Sequence, residues 1–131
     1  MYDAQMIQLQ GTNSANPSTV LFSPWFPRGG DYGIFTLEVV KMSGTTSAFK
    51  LKVEFVHKNT SDPGDGGSPI ASTDITIDGS EGATREQKDV TAGFKELVRY
   101  KYTLTTTDSP ATTTTMWATF RMLAPVWYDK V

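Results

Sequence analysis

The chain has no cysteine, which rules out a disulfide, a thiolate nucleophile, a cysteine-ligated zinc and an iron–sulfur cluster. It leaves the redox compartment open. Charge of one sign is also lacking: 12 basic residues against 14 acidic ones give a formal charge of −2, with no basic run, so nucleic-acid binding by phosphate neutralisation is disfavoured. No stretch approaches the roughly 18 apolar residues of a membrane-spanning helix. The first residues, Met1-Tyr2-Asp3-Ala4-Gln5, lack the basic region and hydrophobic stretch of a secretory signal. The expectation is a protein made and kept soluble in the cytoplasm unless lysis releases it. No segment of ten or more residues places apolar side chains at i, i+3, i+4 and i+7, so long amphipathic helices are not expected.

What the sequence does have is alternation. In "AFKLKVEFVHK", residues 48 to 58, Phe49, Leu51, Val53, Phe55 and His57 alternate with Lys50, Lys52, Glu54, Val56 and Lys58, the period of a half-buried strand. "YGIFTLEVVKM", residues 32 to 42, sets Phe35, Leu37 and Val39 against Ile34, Thr36 and Glu38, and ends at the turn signal "SGTTS". The two segments predict a hairpin. Further strands are expected at 5 to 10, 18 to 23, 71 to 78, 95 to 106 and 114 to 123, the last two forming a second hairpin across "TDSPATT". Residues 83 to 94 suit a short strand or a turn of helix. A chain of 131 residues fits one domain spanning residues 1 to 131. The predicted fold is all-β: an antiparallel, jelly-roll-like β-sandwich of about seven or eight strands. "NTSDPGDGGSP", 59 to 69, and the Thr-rich 103 to 115 read as solvated loops.

Catalytic constellations are scarce. His57 is the single histidine, and its place on an apolar strand face favours a core or interface imidazole over a general base. No G-x-S-x-G elbow exists. Paired carboxylates could serve a glycosidase, with Glu38 and Glu54 as neighbours on the hairpin's polar face, but charged residues on an open face are the default. Asp62 and Asp65 in "DPGDGG" could contribute to a calcium loop completed by Asp74, although the spacing of an EF-hand is absent and Asp-Gly loops are mostly turns. "RGGD" at 28 to 31 has one glycine too many for the adhesive tripeptide, and the sequon Asn59-Thr60-Ser61 has no meaning without secretion. No catalytic residue, metal or cofactor is expected.

The aromatics leave two readings open. A carbohydrate-binding module would present exposed rings, and Trp117 shares the more polar face of its strand with Thr115, Thr119 and Arg121; Trp117 and Tyr32 are the residues that reading selects, with a glycan as partner. Tyr100 and Tyr102 fall on a buried face, as do Met116, Ala118, Phe120 and Met122. The second reading rests on the termini. "MLAPVWYDKV" carries apolar surface that must dock on its own domain or on a neighbour. "FSPWFPRGGDYG", with prolines at 24 and 27, suits a corner or an inter-subunit contact. Trp25, Phe26, Arg28, Trp127 and Tyr128 are then the interface residues, and truncation at residue 124 is expected to abolish assembly while leaving a folded domain.

"FPRGGDYGIFTLEVV", followed at distance by "KELVRYKYTLT" and "WATFRMLAPVWY", resembles in overall character, across residues 26 to 128, the small all-β structural proteins of tailed-phage virions that decorate or stabilise a head. The resemblance implies a non-enzymatic protein that binds an ordered lattice of protein subunits, as a symmetric homo-oligomer.

Overall fold

Burial alternates along the long strands with the period of two that the sequence predicts. The computed structural model describes residues 6–12, 18–106 and 115–131. They form β1 (Ile7–Thr12), β2 (Ser18–Phe22), β3 (Phe26–Pro27), β4 (Tyr32–Met42), β5 (Phe49–Lys58), β6 (Ser68–Pro69), β7 (Ile75–Asp78), β8 (Thr84–Val90), β9 (Leu97–Thr106), β10 (Thr115–Met122) and β11 (Val126–Tyr128). One turn of 3-10 helix, Gly79–Glu81, follows β7. Asp78 caps it and Glu81 reaches back to the Asp78 N–H. No helix among the described residues is long and apolar enough to cross a membrane.

Six of the eleven segments are halves of interrupted strands. Phe22 faces Lys101 and, four residues on, Phe26 faces Val98, three residues back, so β2 and β3 are one strand along β9 with an extra residue at 23–25. In the same way Met122 faces Leu37 while Val126 faces Ile34, making β11 the continuation of β10 along β4. Pro69 faces Val56 and Ile75 faces Val53, so β6 and β7 share one flank of β5. Pro24 and Pro125 sit in two of these interruptions, where a residue without an N–H cannot serve a ladder. Eight strands remain, the upper figure the sequence predicts.

These eight build two four-strand sheets, β1–β10/β11–β4–β8 and β2/β3–β9–β5–β6/β7. The chain crosses between sheets at every connection except the one from β5 to β6/β7, which is the jelly-roll arrangement. Both predicted hairpins are therefore incorrect. β4 pairs with β10 and β8, and β5 with β9 and β7. A turn such as "SGTTS" marks a reversal of the chain but carries no information about which sheet it enters next. β4 and β5 instead face each other across the core, with the Phe35 and Phe55 rings 4.6 Å apart. Glu38 and Glu54 consequently lie on opposite outer faces. β9 and β10 are likewise in different sheets, and residues 107–114 between them lie outside the described residues. Residues 84–90 are strand.

The core holds Leu37, Val39, Leu51, Val53, Ile77, Val98, Leu104, Met116 and Met122 around a train of aromatic rings. Phe35 contacts Phe55, Phe94, Tyr100 and Trp127, and Tyr102 contacts Phe120 at 5.0 Å. Each such pair adds about 0.5–1.5 kcal/mol beyond the area it buries. Tyr100, Tyr102, Ala118 and Phe120 are buried as the alternation predicts.

Candidate functional site

β2 is an edge strand. On one side it pairs with β9, and among the described residues no strand pairs with the other. Val20, Leu21 and Phe22 on it are 45%, 39% and 43% exposed, consecutive apolar residues on a strand whose outer edge is unpaired among the described residues. The strand then breaks at 23–25. There the Ser23 N–H donates to the Tyr100 carbonyl at 3.0 Å, and the Tyr100 N–H donates to Ser23 Oγ at 2.8 Å, so the hydroxyl replaces the carbonyl that the interruption turns away.

The interruption throws Trp25 over the outer face of the second sheet, where it meets Arg99. The Arg99 guanidinium stacks on the Phe22 ring at 4.0 Å and on Trp25 at 4.5 Å, and Lys58 Nζ stands 4.9 Å from the Trp25 ring. Trp25 Nε1 donates to Asp65 Oδ1 at 2.5 Å and Arg99 Nη1 to Asp65 Oδ2 at 3.2 Å. The indole hydrogen bond first, and the Arg99 charge with it, hold the Asp65 carboxyl below the usual range. Loop 59–67 is thus latched over an outward-facing cluster of Phe22, Trp25, Val56 and Arg99. Asp62 accepts from the Asn59 N–H, and Asp65 accepts from Trp25 and Arg99. No group of three or more metal-ligating side chains occurs among the described residues.

"FSPWFPRGGDYG" is a corner by which the chain passes from the second sheet to the first. Phe26 is 8% exposed and packs on Tyr100 at 5.3 Å, which removes it from the surface. Arg28 is engaged within the domain, donating to the Phe94 carbonyl at 2.7 Å and lying 3.6 Å from Asp31. The two glycines make room for the C-terminal segment. A Cβ on Gly29 would stand 2.4 Å from the Trp127 ring, and one on Gly30 would stand 2.9 Å from the Tyr128 carbonyl. The tail therefore docks on its own domain: Trp127 packs on Phe35 and Phe94, and Tyr128 Oη donates to Asp89, which pushes the phenol up to about 12. Of the predicted interface residues, Phe26 and Trp127 serve the core, Arg28 and Tyr128 tie the corner, and Trp25 flanks the exposed edge.

Trp117 and Tyr32 do share the outer face of the first sheet, both half-buried. They do not form one platform. Trp117 hydrogen-bonds through its backbone to Ser43, beyond the far end of β4 from Tyr32. At about 3.3 Å per residue that separates the rings by roughly 35 Å. Glu38 lines a shallow groove with Val40, Thr84 and Arg85. Hydrogen bonds from Arg85 and Arg121 pull its pKa down, the wrong direction for a general acid. His57 accepts at Nδ1 from the Lys95 N–H at 3.2 Å, and burial, with Lys95 beside it, pushes its pKa down.

No protein-family model matches the chain, and no curated protein matches its sequence. Two features of the site escaped sequence reasoning. Arg99 reads as an exposed strand cation, because alternation places it outward without showing that Trp25 and loop 59–67 fold over it. The second feature was present as an absence: residues 4 to 27 contain no Asp, Glu, Lys, Arg or His, and this charge-free run covers β1, β2 and β3.

Proposed function

We propose that this protein is a non-enzymatic structural subunit of a protein assembly, of the kind represented by the head-decorating proteins of tailed-phage virions, and that it binds protein neighbours through the β2/β3 edge. The observation that carries this reading is the run Val20, Leu21 and Phe22, exposed on a strand whose outer side is unpaired among the described residues. An exposed apolar edge is a template for another chain unless charge, proline or a bulge guards it; Ser18–Phe22 carries none of these, and Pro24 with the extra residue at 23–25 ends the open run. The jelly roll is in keeping with this role because capsid domains use it, although fold alone does not assign function. Affinity would come from a few anchors at the centre of the contact, with Phe22 and Trp25 foremost.

The test is sedimentation of native lysate through a density gradient, with the chain followed by antibody. The expected result is co-migration with a particle far larger than the 14.4 kDa chain, and release by Phe22→Lys. A chain that stays with the free proteins at the top of the gradient overturns the reading.

A further inference from the structure

We propose that two copies of this chain pair through β2, antiparallel about a two-fold axis at Val20, so that their second sheets join into one. This names the first partner of the assembly edge and in that respect rests on the reading above.

The backbone sets the register. Ser23 exchanges hydrogen bonds with Tyr100, so by the alternation of an antiparallel ladder Leu21 and Thr19 point their backbone groups toward β9, while Ser18, Val20 and Phe22 point theirs outward. Centring two copies on Val20 pairs all three outward residues at once: Val20 with Val20 and Ser18 with Phe22 in both directions. The side chains agree with that choice. Phe22 meets Ser18 and Leu21 meets Thr19, large against small.

Charge indicates which partner fits. Across a two-fold axis the residue on the axis meets its own copy and its neighbours meet one another, so a strand free of charge pairs with itself without setting like charges opposite each other. The run from residue 4 to 27 meets that condition over the whole side of the sandwich formed by β1, β2 and β3. Size sets the strength. Ser18–Phe22, the part of the edge this register pairs, spans about 17 Å, and two sheets about 10 Å apart with their side chains make an edge roughly 20 Å across. That is on the order of 350 Å² per copy, well under the ~800 Å² of a standard stable interface, so dimer is expected to grow in only toward the upper micromolar range.

The test uses the absence of cysteine. Val20→Cys creates a single thiol, and the paired register places its Cα about 5.5 Å from its copy, within disulfide reach. Under mild oxidation this variant is expected to form a covalent dimer about tenfold faster than Val126→Cys, a control on a different strand at a more open position, 61% exposed against 45%. Light scattering on the parent chain should show its mass doubling with concentration, and Val20→Lys, confirmed folded by circular dichroism, should remain monomeric. Equal cross-linking rates, or a parent chain that is monomeric at every concentration up to about 1 mM, overturn the pairing. A chain that fails here and still sediments with a particle loses only the self-pairing. One that dimerises through Val20 but stays at the top of the gradient loses only the particle role.

Discussion

Arg99 lies on an outer sheet face and is nonetheless 7% exposed, clamped between Phe22 and Trp25, with a buried Nε that has no hydrogen-bond partner. A buried cation is tolerated where its donors and its flat faces are used, and here Asp65 and two rings use them. Arg99→Ala removes two cation–π contacts and leaves a hollow under loop 59–67, so a loss of about 2 kcal/mol in chemical denaturation is expected. Arg99→Lys should recover little of it, because an ammonium can neither stack between two rings nor span Asp65 and its carbonyl. Glu86 presents the opposite case. It sits on the inward-facing side of β8, where burial first, then the hydrogen bond and charge of Glu81 with Asp78 behind it, push its carboxyl pKa up. A carboxyl whose pKa is raised on folding binds more proton in the native state, so its contribution is intact at low pH and is lost as pH rises through the folded value. Glu86→Gln is therefore expected to raise the thermal midpoint by a few degrees at pH 7 and to leave it unchanged near pH 3, compared by calorimetry at the two pH values.

At the scale of elements, the C-terminal segment shows where sequence reasoning stops. "VWY" announces apolar surface that needs cover, but whether it covers itself depends on a floor built elsewhere in the chain by Gly29, Gly30 and Gly33. Because β11 continues β10 along β4, a chain ending at Ala124 is expected to lose the cooperative native fold altogether, instead of remaining folded and merely unassembled; circular dichroism and a thermal melt decide this. Trp127→Ala should cost about 2 kcal/mol, less than a fully buried tryptophan because one side of the ring is open. Strand positions and core faces were legible throughout β4, β5, β9 and β10, since alternation is a local signal. Pairing was not. Phe35 and Phe55 belong to adjacent segments of opposite sheets, and nothing within either segment distinguishes a hairpin from a crossover. The candidate site was legible only in part. The prolines near residue 24 marked the edge, yet Trp25 and Phe26 looked equivalent, and only the extra residue at 23–25 sends one outward to Arg99 and the other inward to Tyr100.

Over the whole molecule the two sides of the sandwich are protected differently. One side ends in β8, whose Arg85, Gln87 and Asp89 face outward while Glu86 and Lys88 point inward, and in β6/β7 with Pro69, Asp74 and Asp78 nearby. Inward charges, alternating signs and proline are devices that keep sheet edges from adding strands. The other side ends in β1 and β2, which hold no charge at all. The contrast makes the ionic response of association diagnostic of where contact is made. If copies meet at the uncharged side, the dissociation constant should change by less than about twofold between 0.05 and 0.5 M sodium chloride, because there are no opposed charges to screen. Sodium sulfate should tighten it, since excluded salts favour apolar burial. Sedimentation equilibrium across both salt series gives the answer. A tenfold weakening in sodium chloride would instead place the contact on the charged β8 side, or on the outer face of the second sheet, where Lys50, Lys52, Lys101 and Glu54 stand.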